Sequence, residues 1–135
     1  MISALLIHGV PIECINRAAI TYRVPAKIIV SIIETEGGSI GSANKNHNGT
    51  VDYGVMQINS IWLPKIEHYG YTQQEIQYDP CANVAVAAWI LNQNISKANN
   101  GLEGIGEYHS HTKPLLCKYE NKFITNYQNL TRILG

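Results

Sequence analysis

Apolar positions along this chain recur mostly at three- and four-residue steps, the period of one helix face. Ile12, Ile15, Ala18, Ala19 and Tyr22 predict a first amphipathic helix over about 12–22. Pro25 suits the first position of a second helix, which runs to Glu36 and is ended by Gly37-Gly38. From 39 to 59 the helical period stops. Asn44, Asn46, Asn48, Gly49, Asp52 and Gly54 are turn formers, and Asn48-Gly49 predicts a tight turn between two short extended pieces. The segment therefore reads as a small β-hairpin or irregular loop that delivers Tyr53 to Asn59. Ser60 is placed to cap a short helix through about Glu67, and Thr72-Gln73-Gln74-Glu75 has the capping-box pattern. Asp79-Pro80 pairs an N-cap with a first-turn proline. The helix they open carries Ala82, Ala85, Ala87 and Ala88, small residues that permit close packing and a central position. It ends near Asn99-Asn100-Gly101, and a short helix over about 102–110 follows. Pro114 opens a last long helix with Leu116, Tyr119, Phe123, Tyr127, Leu130 and Leu134 on one stripe. The pattern is mainly α, in one domain spanning 1–135.

Composition narrows the function classes. Ten basic and ten acidic residues cancel, and no basic run exists, so there is no electrostatic case for nucleic acid. No apolar run approaches the roughly 20 residues that span a bilayer. Met1 to Val10 is mildly apolar, but His8 interrupts it and a positive start is missing. It makes a poor signal peptide and reads as a remnant of one or, in preference, as a packed terminal segment. Cys14, Cys81 and Cys117 show no CxxC spacing. They are compatible with one disulfide and a remaining thiol, or with three buried thiols.

The second helix holds the most informative residue. At about 100° per residue, Ile28, Ile29, Ile32 and Ile33 fall at roughly 0°, 100°, 40° and 140°, a stripe centred near 70°. On that wheel Glu36 falls at about 80°, inside the stripe, and Glu34 at about 240°, beside Lys27 on the solvent side. Burial disfavours a bare carboxylate, and the partial negative charge of a helix C-terminus disfavours it further. An acid held in that way is what protonation of a glycosidic oxygen requires. The competing reading has Glu36 past the helix end and turned to water.

Further motifs favour the first reading. Glu36-Gly37-Gly38, then Asn48-Gly49-Thr50-x-Asp52-x-Gly54-Val55-Met56-Gln57-Ile58-Asn59-Ser60-x-Trp62-Leu63, resembles the lytic transglycosylases of the lysozyme-like superfamily. The similarity is greatest to the small single-domain branch associated with conjugation and type IV or type III secretion. Asp79-Pro80-Cys81-x-Asn83-Val84, Ala88-Trp89-Ile90-Leu91 and Gly104-Ile105-Gly106-x-Tyr108-His109-Ser110 match later segments in order. The resemblance covers about residues 12–127. It implies a lysozyme-like helical domain with Glu36 as catalytic acid and base. Gly54, Met56, Gln57 and Asn59 would line the glycan groove, and Tyr108 would position substrate or acid. Gln57 and Asn59 can bond sugar amides and hydroxyls, and Gly54 would let backbone approach the sugar. His109-Ser110 stands where many relatives have Asn-Ala-Gly. The resemblance also implies a Cys14–Cys81 disulfide with Cys117 free, a peptidoglycan substrate, no cofactor, and a place in the bacterial periplasm or envelope. Components of a secretion or conjugation machine would be its partners.

A hydrolase of the usual kind needs two carboxylates flanking the bond. Asp79 is better explained as a helix cap, and Asp52 as a turn residue bonding its own backbone. One carboxyl suffices if the muramic-acid hydroxyl attacks its own anomeric carbon to give an anhydro ring. A hydrolytic muramidase on the same fold and a non-catalytic glycan-binding assembly factor are the competing functions. His109-x-His111 lacks an acidic or cysteine partner and gives no metal site. Tyr53, Trp62, Tyr69, Tyr71 and Tyr78 divide between sugar stacking and core packing, and the three Asn-x-Ser/Thr triplets are chance matches in an asparagine-rich chain.

Overall fold

The computed structural model describes residues 5–98, 100–109 and 113–134, with the backbone alone for 109, 113–117 and 133–134. The expectations for His109, Ser110, His111 and the Cys117 thiol therefore concern groups outside those described. The chain is mainly helical, as its periodicity predicts. A short hairpin of β1 (Leu6–Ile7) and β2 (Val10–Pro11) precedes α1 (Ile12–Tyr22) and α2 (Ala26–Glu36). A three-stranded antiparallel sheet follows, of β3 (Ala43–Lys45), β4 (Val51–Tyr53) and β5 (Ile58–Asn59) in that order. A 3-10 turn (Ser60–Trp62) leads into α3 (Leu63–His68), α4 (Gln73–Tyr78), α5 (Pro80–Lys97), α6 (Gly101–His109) and α7 (Lys113–Leu134).

Helix α5 is the hub, packed against α1, α4 and α6. Its alanines are the reason: Ala82, Ala87 and Ala88 are buried together with Val84, Val86, Ile90 and Leu91. Asp79 caps it as expected, accepting from the amides of Cys81 and Ala82, and Thr72 and Glu75 form the full capping box on α4. Cys14 on α1 and Cys81 on α5 are disulfide-bonded, which pins these two helices together.

Three details differ from the sequence reading. The terminal segment is a hairpin: Val10 is in the core, whereas Leu5 and Leu6 are exposed. Asn59, not Ser60, caps the 3-10 turn, because its side chain accepts from the Ile61 amide while the Ser60 hydroxyl accepts from the Val51 amide. The buried face of α2 is also wider than its isoleucines suggest, since Ser31 and Thr35 are fully buried. Both hydroxyls bond the carbonyl one turn back, and Asn126 of α7 donates to Thr35, so burial leaves them satisfied.

Candidate active site

Gly37 takes a left-handed conformation and ends α2 directly after Glu36. The chain then runs along the turn that joins β4 to β5. At Gly38 a side chain would meet the carbonyl oxygens of Gly54 and Val55 at 2.3 and 2.8 Å, so only glycine lets these two backbones touch. Glu36 is half-buried with one carboxylate oxygen inside the protein, and Glu34 is exposed and bonded to His8 at 2.9 Å. The wheel thus separated the two acids correctly.

Residues 54–57 form a tight turn, closed by the Gln57 amide donating to the Gly54 carbonyl. Gly54 has φ 73°, and a Cβ there would lie 2.3 Å from the Asn83 amide nitrogen. The glycine is thus demanded from the protein side of the turn. Gln57 also sits at positive φ, 53°, which non-glycine residues seldom adopt. Its side chain holds it there, donating to Gly54 O and Ser42 Oγ and accepting from Asn44.

The turn is anchored from below by Asn83, a residue on α5 to which the sequence reading gave no role. Asn83 is 1% exposed. Its amide nitrogen donates to the carbonyls of Tyr53 and Ile76, and its oxygen accepts from the Met56 amide. Met56 is fully buried, so its side chain belongs to the core and it meets the site through its backbone. The Met56 carbonyl accepts from the Tyr108 hydroxyl at 2.6 Å, tying α6 to the turn.

Two tyrosines surround Glu36. Tyr119 of α7 has its hydroxyl within hydrogen-bonding reach of the Glu36 carboxyl. Burial, the negative charge of Glu36 and that hydrogen bond all push the Tyr119 hydroxyl far above its ordinary value. Tyr108 is likewise raised well above the usual range, first by burial, then by Glu36 and Asp52. Both phenols are thus neutral donors at any ordinary pH. Sequence reasoning placed Tyr119 on the apolar stripe of α7, and nothing local distinguished a core ring from one whose hydroxyl reaches an acid on α2.

Asp52 and Asn59 pair across β4 and β5, Asn59 donating to Asp52 and to Thr50 at 3.0 Å each. With its oxygen capping Ile61, the Asn59 side chain is fully engaged within the sheet. The structure therefore gathers Glu36, Gln57, the Met56 carbonyl, Tyr108 and Tyr119, with Asp52 acting on Tyr108. Tyr53 is core, whereas Trp62, Tyr69 and Tyr71 gather beside Trp89 of α5.

Comparison with known proteins places the chain among relatives. Protein IpgF of Shigella flexneri is 33% identical over 123 residues, covering 90% of this chain and 81% of that protein. Invasion protein IagB of Salmonella typhimurium is 27% identical over 123 residues, covering 87% and 77%. A peptidoglycan-binding-like protein of Escherichia coli O157:H7 is 29% identical over 105 residues, covering 72% and 63%. Residues 13–129 match the Transglycosylase SLT domain, and the chain belongs to that family.

Proposed function

We propose that this protein cleaves the bond between N-acetylmuramic acid and N-acetylglucosamine in peptidoglycan, leaving an anhydromuramic end. The observation that carries the reading is the setting of Glu36: a half-buried carboxyl at a helix end, beside the Tyr119 and Tyr108 hydroxyls. In the first step Glu36 donates its proton to the glycosidic oxygen as the C1–O bond breaks. The muramic C6 hydroxyl then bonds to C1, and its proton passes to Glu36, which restores the acid. No water is consumed. Gln57 and the backbone around the 54–57 turn would hold the sugars, and Tyr108 would keep that turn in register with α6.

The family match and the similarity to an invasion protein support a further role: local opening of the wall for a secretion or conjugation apparatus. The Cys14–Cys81 disulfide suits the oxidising bacterial periplasm, and no helix among the described residues is long and apolar enough to cross a membrane.

Mass spectrometry of digested sacculi tests the reading. Products should be lighter by one water than hydrolytic ones. Glu36→Gln should lower cleavage by about 10²–10⁴-fold or more while the fold persists. Glu34→Gln should be nearly silent. Water-added products would make the enzyme a muramidase, with Asp52 as the next residue to replace. Full activity in Glu36→Gln would refute the catalytic assignment.

A further inference from the structure

A second concave surface shares no residue with the Glu36 cluster. Between the end of α1, α3 and α5 lies a pocket of about 320 Å³ lined by Tyr22, Ile66, Tyr69, Tyr71, Val86 and Trp89. Trp89 is braced edge-on by Trp62, with centroids 5.7 Å apart, and is flanked by Tyr69 at 5.9 Å. The pocket continues into a cleft of about 410 Å³, with Tyr22 and Tyr71 lining both. The cleft adds Arg17, Thr21, Glu75 and Asp79, and the Cys14–Cys81 bond lies in its wall. The result is one trough, aromatic at one end and polar at the other, stapled covalently.

We propose that this trough is a second glycan-holding site, which grips a neutral N-acetylated polysaccharide segment away from the catalytic groove. The inference rests on the reading of the chain as a glycan-acting protein. Tyr69, Tyr71 and Trp89 supply apolar faces for the C–H side of sugar rings. Arg17 donates, and the carboxylates of Glu75 and Asp79 accept, so hydroxyls, which do both, find complementary partners. Glu75 and Asp79 each use one oxygen in a helix cap; the other oxygens, and Arg17, make no hydrogen bond among the described residues.

Other occupants fit less well. Two carboxylates against one guanidinium oppose an anionic ligand. An extended peptide finds no strand edge, because α1, α4 and α5 form most of the walls and their backbones bond internally. A docked apolar helix would strip water from Arg17, Glu75 and Asp79 without partnering them. For an enzyme that works on an insoluble polymer, a second grip raises the effective concentration of bond at the first site.

The chain has two tryptophans, and both belong to this cluster, so intrinsic fluorescence reports on the trough. Chitotetraose titrated into Glu36→Gln protein, which cannot cut it, should give a saturable change in emission. Tyr69→Ala should weaken that binding roughly 2- to 10-fold, the effect of one aromatic face. Tyr69 is 67% exposed, so its loss spares the fold. Arg17→Ala should weaken binding as well, and both variants should co-sediment less with sacculi. A flat titration would overturn the proposal, as would a saturable change that neither substitution alters. Normal wall cleavage with a flat titration removes the trough alone. A saturable titration sensitive to Tyr69, in a protein that cuts no wall, keeps the trough and removes the catalytic reading.

Discussion

Replacement of Asn83 by alanine should cost this protein a large share of its stability and loosen the 54–57 turn. The Asn83 side chain makes three hydrogen bonds of 2.8–2.9 Å while 1% exposed. Alanine removes all three and leaves two carbonyls and one amide buried without these partners. Each such group costs about 1–3 kcal/mol. Allowing for partial relaxation, the sum is about 3–5 kcal/mol, against a total of about 5–15 kcal/mol for a typical domain. For a chain of this length that lowers Tm by about 10–18 °C. Asn83→Asp discriminates further. It keeps the acceptor for the Met56 amide but turns a carboxylate oxygen toward the Tyr53 and Ile76 carbonyls, so it should be at least as damaging as alanine. Thermal and urea denaturation by circular dichroism measure the loss. Since the Met56 carbonyl anchors Tyr108, cleavage of sacculi well below the new Tm should also fall. A loss under about 1 kcal/mol, or an Asp variant as stable as the parent, would refute the claim that Asn83 anchors the turn.

Gly54→Ala should lose about 1–3 kcal/mol from backbone strain alone, with the clash on Asn83 added, and chemical denaturation reads it. Replacing Cys14 and Cys81 by alanine should cost about 4 kcal/mol, from opening a loop that spans 67 residues, and the parent should lose the same on reduction. At high pH the raised tyrosines act on stability with a definite sign. Above about pH 10 the unfolded chain releases phenolic protons that folded Tyr108 and Tyr119 retain, so their contribution to stability is constant below that pH and falls above it. The slope is about 1.4 kcal/mol per pH unit for each tyrosine, and Tyr119→Phe should remove one share of it.

Much of this architecture was legible because it rests on local rules. The α2 stop at Gly37-Gly38, the capping box at Thr72 and the Asp79-Pro80 start each depend on a few adjacent residues. The wheel separated Glu34 from Glu36 because helix periodicity fixes direction once the apolar stripe is known. What escaped depends on contacts between distant segments. Asn83 satisfies backbone groups 7, 27 and 30 residues away, and Asn126 reaches Thr35 across 91. An asparagine in an alanine-rich helix carries no mark of such partners. The motif puts Gly54, Met56 and Asn59 in the segment expected to line the groove, and their Cβ direction, side chain and amide, respectively, are taken up inside the protein. Motif recognition points to this turn, and geometry shows that much of the motif builds it.

The chemistry proposed for Glu36 needs one group to give a proton and then take one back, so its surroundings must tolerate both charge states. A cation in contact would hold the carboxylate form and weaken the acid, and a second ionised carboxylate would hold the protonated form and weaken the base. Two phenols that stay neutral far beyond ordinary pH bring no charge of their own to Glu36. Tyr119 can donate to Glu36 in the charged state and rotate its hydroxyl in the neutral one. Tyr108 is committed to the Met56 carbonyl, so its dipole is fixed and it serves the turn. Asp52, engaged by Asn59, acts on Tyr108 from the sheet side. The two phenols are thus polar without being charged, which suits a lone acid whose partner nucleophile would belong to the substrate.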